Sequence, residues 1–283
     1  MKKKILGFAA VALLTVGLAA CGNSSSGSSD SSSKEKSDTL VVGASPTPHA
    51  EILEHVKPLL EEEGVTLEIK KFDDYVLPNK ALADKDIDTN YFQHKPFFEK
   101  AVKENDYKFT DAGAVHIEPM GLYSKKIKDI KDLKEGATVI TSSSESDWGR
   151  IITILQDADL VKVKDGVDLE TATFDDIAEN PKKLEFKHDI DPSLLATAYQ
   201  NDEADLVAIN ANFAFGIDLN PADDSVLLEA DNSPYVNVIA VRSGDESSDK
   251  IKKLVEVLHS DEIKDFVEKQ WQGSVKIVDA DAK

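Results

Sequence analysis

The sequence predicts an α/β fold in which helices cover mostly parallel β-sheets. From residue 39 onward, short apolar runs alternate with segments whose apolar residues recur at helical spacing, an order typical of α/β architecture. No self-similarity with a period of roughly 20 to 50 residues is present, which argues against a solenoid or a propeller. The 245 residues that follow residue 38 are enough to bury a large hydrophobic core.

The first half of this region begins with a predicted strand over residues 40–44. Thr47 and Pro48 follow as an N-cap and a first helical residue. The helix that they start ends before Gly64, because glycine is favoured just after a helix C-terminus. The other predicted strands of this half are 65–72, 88–92 and 112–123, and the other predicted helices are 75–83 and 96–104.

The second half repeats the alternation up to the C-terminus. Its predicted strands are 138–141, 184–186, 205–209 and 236–241. Its predicted helices are 149–158, 192–201, 251–258 and 262–271. Strand length and helical periodicity distinguish the two kinds of element along this half.

The N-terminus has the pattern of a secretory leader. Three lysines at positions 2–4 precede an apolar stretch of 14 residues, 5–18. That stretch is shorter than the roughly 20 residues of a transmembrane helix and fits the apolar part of a signal peptide. The run Leu18-Ala19-Ala20-Cys21 resembles the lipobox of bacterial lipoproteins, which implies cleavage before Cys21 and a diacylglycerol on its sulfur. The alternative is an ordinary signal peptide with an incidental cysteine, although Cys21 is the only cysteine in the chain.

We therefore expect residues 1–20 to be a signal peptide and the serine-rich residues 21–38 to be a lipidated, flexible tether. The folded part would then face the extracytoplasmic side of the cell membrane. Loss of the three leader lysines takes the net charge from −20 to −23, and such a surface repels nucleic acid. A mature chain without a second cysteine has no disulfide and no catalytic thiol.

Seven segments, in order between residues 41 and 275, carry a resemblance to one family. They are VGASPTPHAEIL at 42–53, DYVLPN at 74–79, NYFQH at 90–94, VHIEPMGLYS at 115–124, ENPK at 179–182, INAN at 209–212 and SPYVNV at 233–238. Together, behind a lipobox, they resemble the methionine-binding lipoproteins of ABC importers, the NlpA or MetQ lipoprotein family. The resemblance covers nearly the whole predicted α/β region.

The resemblance implies a two-lobed fold like that of type II periplasmic binding proteins, with a ligand cleft between lobes joined by a hinge. Residues 39–122 with 237–283 would form lobe 1, and 123–236 would form lobe 2. It also implies capture of methionine, or a closely related amino acid, for import by permease and ATPase subunits. A monomer without cofactor or catalytic activity is expected. A short methionine-containing peptide is the alternative ligand.

Arg150 is the natural partner for the carboxylate of such a ligand. It is one of only two arginines in the chain, and its planar fork suits bidentate binding better than a lysine does. It follows Gly149 at the start of a predicted helix, where free N–H groups favour an anion. A surface arginine that caps local carbonyl groups is the alternative interpretation.

Asparagine, histidine and aromatic residues complete the expected site. Asn210 and Asn237 stand at the ends of apolar strands, where loops of an α/β sheet commonly meet ligand, although turn or cap roles are common for asparagine. The resemblance also assigns four residues to the wall around the ligand's side chain, where aromatic faces contact a thioether favourably. These four residues are Tyr75, Phe92, His94 and His116.

The sequence departs from the family just before Arg150. The family has a loop like Pro-Asn-Asp-Pro-Ser-Asn there, whereas residues 142–148 of this chain read SSSESDW. Asp147 replaces an expected asparagine, and its carboxylate could meet a ligand ammonium group. Trp148 introduces a large side chain near the expected cleft.

Two other classes of protein fit the sequence less well. A metal-binding lipoprotein would use histidines, but no His-x₃-His pair is present and no histidine has a compact acidic group at ligand spacing. A hydrolase would need a nucleophile elbow, a His-Glu-x-x-His helix or a phosphate loop, and none of these motifs is present. We therefore expect no metal site and no catalytic residues.

Overall fold

Two mixed β-sheets, each packed against helices, form the framework of the chain. The computed structural model describes residues 38–230, 233–280 and 282, so the predicted leader, Cys21 and nearly all of the tether lie outside the described residues. The strands are β1 Thr39–Ala44, β2 Thr66–Lys71, β3 Thr89–His94, β4 Phe109–Ile117, β5 Gly121–Tyr123, β6 Thr138–Ser142, β7 Lys162–Val163, β8 Ile177–Glu179, β9 Glu185–Ile190, β10 Leu206–Ile209, β11 Leu227–Leu228, β12 Asn237–Arg242 and β13 Lys276–Ile277. The helices are α1 Glu51–Glu62, α2 Leu77–Ala83, α3 Lys95–Asn105, α4 Trp148–Asp157, α5 Leu195–Gln200, α6 Ala211–Phe215, α7 Pro221–Asp224, α8 Asp249–Leu258 and α9 Asp261–Trp271.

The first sheet has six strands in the order β13-β4-β12-β3-β1-β2. Strand β1 runs parallel to β2 and β3, whereas β12 runs antiparallel to β3 and β4, and β13 antiparallel to β4. The predicted mostly parallel arrangement is therefore wrong for this sheet. The C-terminal strand β12 enters the sheet from the far end of the chain and reverses the direction of pairing.

The second sheet has five strands in the order β11-β5-β10-β6-β9. Strand β6 runs parallel to β9 and β10, and β5 runs antiparallel to β10 and β11. The chain therefore passes from the first sheet to the second between Ile117 and Gly121, and returns between Leu228 and Asn237. A separate pair, β7 and β8, lies outside both sheets.

Each sheet packs into two of the four hydrophobic clusters of the described residues. Helices α1, α8 and α9 bury their apolar faces against the first sheet, in a core that includes Leu254, Leu258 and Trp271. Helix α4 buries Ile151 and Leu155 against the second sheet. Burying a side chain of this kind contributes about 1.5–3 kcal/mol relative to leaving it exposed. Because each of these helices buries one face, its apolar residues recur at helical spacing in the sequence.

The start of the first helical segment positions a histidine inside the protein. Thr47 has the extended backbone conformation of an N-cap residue, with φ −138° and ψ 142°, and Pro48 follows it. The segment Pro46–Ala50 leads directly into α1 and buries His49 completely. None of the helices among residues 38–230 and 233–280 is both long and apolar enough to cross a bilayer.

Candidate functional site

A small cavity lies where the two sheets face each other. The first sheet contributes residues from β3 and the start of β12, and the second contributes residues from α4 and the end of β10. The side chains that line the cavity are those of Tyr75, Phe92, Gln93, His94, Phe97, Glu118, Arg150, Asn210, Ala211 and Asn237. The free volume of this cavity is only about 10 Å³. An amino-acid ligand therefore requires the surrounding side chains or the two halves to move apart.

Six of the seven residues predicted for the site line this cavity: Tyr75, Phe92, His94, Arg150, Asn210 and Asn237. His116 does not. It is completely buried, its Nδ1 lies 2.5 Å from the hydroxyl of Tyr91, and its ring packs edge-on against His49. His116 therefore stands behind the cavity wall rather than in it.

Four lining residues were missed at the sequence level: Gln93, Phe97, Glu118 and Ala211. Three of them, Gln93, Glu118 and Ala211, lie inside segments that match the family. For Gln93 and Glu118 the available signal was a polar residue within a strand or just after it. That pattern does not specify on which face of the sheet the side chain lies. Gln93 bonds to Asn79 and Asn90 in a buried amide network that fixes its orientation.

Arg150 is buried and already paired with a carboxylate. Its side chain is 5% exposed, and its Nε and Nη2 donate to Glu229. Nη2 also donates to the carbonyl of Glu118 at 3.3 Å, and the guanidinium lies 4.5 Å from the ring centre of Tyr235. Burial alone lowers the pKa of Arg150, but the carboxylates of Glu229 and Asp147 raise it above its usual range. Sequence reasoning missed Glu229, which lies 79 residues further along the chain.

The outer edge of the Arg150 fork remains for a ligand. Nη1 makes no hydrogen bond to the described residues and lies 3.7 Å from Asp147 Oδ1. Helix α4 brings the fork to the cavity because Gly149 lets the helix approach the segment around Leu169. A Cβ on Gly149 would lie 2.2 Å from the Leu169 carbonyl oxygen.

Asp147 joins both halves of the site. It is 1% exposed, Oδ1 lies 3.0 Å from His94 Nε2, and Oδ2 accepts a hydrogen bond from Asn210 Nδ2 at 3.2 Å. Burial favours protonation of Asp147, but the hydrogen bond and charge of His94 hold its pKa below the usual value. Trp148, expected near the cleft, does not line the cavity: its Nε1 donates to Ser142 and its ring packs against His188.

Glu118, which lines the cavity, belongs to a buried cluster with His49 and His116, which do not line it. One potential ligand atom from each lies within 4.8 Å of the others. The spacing of histidines and acidic groups in the sequence did not predict this cluster. His49 Nδ1, His116 Nε2 and Glu118 Oε2 are buried without a hydrogen-bond partner in the described part of the chain. Tetrahedral zinc with bonds of about 2.0–2.1 Å needs donors about 3.4 Å apart, so a cluster spread over up to 4.8 Å would have to contract to bind it.

The cluster carries one acid and two neutral rings at neutral pH. Burial lowers the pKa of His49 to about 4 and that of His116 to about 3. Burial raises the pKa of Glu118, although His49 and Arg150 oppose that shift. His49 Nε2 donates to Asn237 Oδ1 at 3.0 Å, which leaves the amide NH₂ of Asn237 as a donor for a ligand.

A larger groove of about 470 Å³ lies next to the cavity. Tyr75 and Phe97 line both spaces and therefore separate them. The hydroxyl of Tyr75 donates to Asn212 Oδ1 at 2.5 Å, which connects the first half of the site to α6 of the second. Among the residues that line the groove, Lys100 of α3 pairs with Glu145 at 2.7 Å.

This geometry defines a class of protein: a two-lobed binding protein with a polar cavity between its sheets. The sequence model of the NlpA lipoprotein family matches residues 40–278. The methionine-binding lipoprotein MetQ of Bacillus subtilis is 50% identical over 278 residues, which are 97% of this chain and 98% of that protein. The chain belongs to the NlpA lipoprotein family, as the sequence predicted.

Solved structures support the same fold. A nutrient-binding protein from Burkholderia cenocepacia, bound to methionine, has a TM-score of 0.79 and 38% identity, over 84% of this chain and 99% of that one. The crystal structure of the methionine-binding protein MetQ has a TM-score of 0.82 and 33% identity, over 86% of this chain and 99% of that one. The predicted two-lobed α/β fold is thereby confirmed.

Proposed function

We propose that this chain captures methionine and delivers it to an ABC importer. The observation that carries the proposal is the cavity itself, in which an arginine fork, two asparagine amides and aromatic rings converge. A zwitterion removed from water needs partners for both charges and a dry wall for its side chain. The relatives named for methionine binding have the same fold along nearly their whole length.

Each end of the ligand has a chemically suitable partner. Arg150 Nη1 and the Asn237 amide would bind the carboxylate, because both are donors at the same cavity. Tyr75, Phe92 and Phe97 would surround the thioether, since their rings lie within about 6 Å of one another, centre to centre. Sulfur–aromatic contacts of this kind contribute about 0.3–1.5 kcal/mol.

Closure of two lobes would trap the ligand. We propose lobes of residues 39–122 with 237–283 and of residues 123–236. The sheets support this division, with the first crossing moved to residues 118–120 because β5 lies wholly in the second sheet. Tyr75–Asn212, His94–Asp147 and Lys100–Glu145 are the contacts that opening would break. Hinged closure around a ligand is a common motion of such proteins.

The chain would act at a membrane surface by binding alone. A lipid on Cys21 would tether a monomer outside the cytoplasm, where a permease and its ATPase subunits receive the ligand. Replacement of Cys21 by alanine should release the protein from the membrane fraction without unfolding it, because the tether separates Cys21 from β1. Persistence in washed membranes would contradict the anchor.

A short methionine-containing peptide is the second candidate ligand. The groove beyond Tyr75 and Phe97 favours it, because a longer ligand could extend there from the cavity. Titration calorimetry of ligand-free protein should separate the cases. Saturable binding of L-methionine supports the first proposal, and tighter binding of a methionine dipeptide supports the second. A response to zinc alone would contradict both and favour a metal-binding lipoprotein.

A further inference from the structure

Two of the three acids close to the cavity have a basic side chain within hydrogen-bond distance, and the third does not. Arg150 pairs with Glu229, and His94 contacts Asp147 at 3.0 Å. Glu118 has no such partner. Its neighbours are His49 and His116, whose pKa values of about 4 and 3 make both rings neutral at pH 7.

Glu118 is placed to interact with a ligand rather than with solvent. It is 8% exposed and lines the cavity, and its Oε2 has no hydrogen-bond partner within the described residues. The Nε2 of His116 lies 3.5 Å from this oxygen, beyond good hydrogen-bond geometry. A buried carboxylate without a partner is costly, so a cation that enters the cavity would be bound here.

A second buried acceptor lines the same cavity. Asn210 is 4% exposed, and its Oδ1 lacks a hydrogen-bond partner in the described part of the chain, because its Nδ2 is the atom that reaches Asp147. Two buried oxygen acceptors without a hydrogen-bond donor suit an ammonium group, since that group carries only donors.

We propose that Glu118 is the ionic partner of the ligand's α-ammonium group, with Asn210 Oδ1 as a second acceptor. The inference rests on the proposed function and deepens it. For methionine as the ligand, it requires a free amino group beside the carboxylate and excludes N-blocked or desamino analogues, so it applies to the first proposed ligand and not to the peptide. Glu118 is thereby a specificity-determining residue.

Asp147 is the rival for this role, because it is the acid that the sequence places where the family has asparagine. Both of its oxygens are already occupied, Oδ1 by His94 and Oδ2 by Asn210. It is 1% exposed and does not line the cavity. Asp147 therefore organises His94 and Asn210, whereas Glu118 meets the ligand.

The test compares two ligands that differ only in the ammonium group, L-methionine and 4-(methylsulfanyl)butanoate. The full chain, purified in detergent and freed of ligand by unfolding and refolding, is titrated with each by calorimetry. Wild type should bind L-methionine much more tightly. Glu118→Gln should lower the L-methionine affinity about tenfold, the difference between a charged and a neutral hydrogen bond, and leave the butanoate affinity unchanged or higher.

The comparison variants make the outcome specific. Asp147→Asn should change both affinities by the same factor, and Glu62→Gln, an exposed residue of α1, should change neither. If Glu118→Gln does not fold, Glu118→Asp takes its place. The shorter side chain keeps the charge but moves the carboxylate away from the ligand, so the affinity for L-methionine should fall while the affinity for the butanoate should not.

Three results would overturn the inference. These are equal losses for both ligands in Glu118→Gln, a loss of ammonium preference in Asp147→Asn alone, or a wild type that binds both ligands equally. The last result leaves the proposed function intact. A wild type that binds neither ligand contradicts the proposed function itself, and the inference falls with it.

Discussion

Arg150 connects the candidate ligand site to the segments that join the two sheets. Its partner Glu229 accepts a hydrogen bond from the backbone N–H of Met120 at 2.8 Å and another from the hydroxyl of Ser233. Met120 lies where the chain leaves the first sheet, and Ser233 lies where it returns. A ligand carboxylate on Arg150 would therefore act on the same ion pair that organises both crossings.

Replacement of Arg150 by alanine should impair binding and stability together. Removal of one partner of a buried charged pair costs about 2–5 kcal/mol of binding energy, roughly a 30- to 5,000-fold loss of affinity. Because Glu229 is left buried and unpaired, the free energy of unfolding should also fall by about 3–5 kcal/mol. Titration calorimetry and urea unfolding measure the two effects.

The double variant Arg150→Ala/Glu229→Gln separates these effects. It removes the unpaired charge, so much of the stability should return while the affinity stays low. Wild-type affinity in either variant would contradict the assignment of Arg150 to the ligand carboxylate.

The buried histidines predict a loss of stability in mild acid. The pKa of His49 is about 4 and that of His116 about 3 in the folded chain, against about 6.5 when unfolded. The unfolded state therefore binds more protons below pH 6.5. Each ring then lowers the free energy of unfolding by up to about 1.4 kcal/mol per pH unit, down to its folded pKa.

Glu118 acts in the opposite direction, because its raised pKa makes the folded state bind protons more readily. Urea unfolding between pH 7 and pH 4 should show the net decline, and His49→Gln should have a shallower slope than wild type. An unchanged slope would show that His49 is not the group responsible.

Sequence reasoning placed Arg150, Asn210 and Asn237 at a common site, and the structure brings all three to one cavity. The signal was their position, since Arg150 starts a predicted helix and the asparagines stand at the ends of apolar strands. The position of His116 behind the wall comes with its contact to Tyr91, which no local pattern records. Glu229 could not be predicted, since its pairing with Arg150 depends on how the chain returns to the first sheet.

At the scale of elements, most predicted helices and strands match the structure to within a few residues. The strand predicted over residues 112–123 is wrong, because it is two strands, β4 and β5, that belong to different sheets. Residues 149–158 were predicted helical, and α4 spans Trp148–Asp157. The spacing of apolar residues involves only neighbours in the sequence, so the sequence alone indicates where helices and strands lie. The antiparallel insertion of β12 between β3 and β4 is a long-range choice. The sequence predicted that strands exist but not which neighbours they take.

The start of α4 provides a test at this scale. Gly149→Ala would place a Cβ 2.2 Å from the Leu169 carbonyl oxygen and under 3 Å from the backbone of Glu170. The helix would have to shift, with a typical overpacking cost of about 1–3 kcal/mol, and Arg150 would move with it. We expect a lower midpoint in urea and a weaker affinity for L-methionine.

Gly216→Ala is the matched control, because its helical φ of −62° suits alanine and its nearest neighbour would lie at 3.4 Å. Its stability should equal or slightly exceed that of wild type. Equal behaviour of the two variants would contradict the close approach of α4 to the Leu169 segment.

At the scale of the whole molecule, three side-chain contacts join the two halves around the site. Tyr75 bonds to Asn212, His94 contacts Asp147, and Lys100 pairs with Glu145. Ligand that binds only the folded state at 100 times its dissociation constant adds about 2.7 kcal/mol of stability. Ligand binding and lobe closure should therefore appear together as a higher melting temperature.

The identity of the natural ligand tests the central claim most directly. Protein purified from its own cells without added amino acid, then denatured, should release its bound ligand for mass spectrometry. The account predicts methionine, or a short peptide that contains it, in a one-to-one ratio with the protein. Release of a metal ion, a sugar or an amino acid without a thioether would contradict the account.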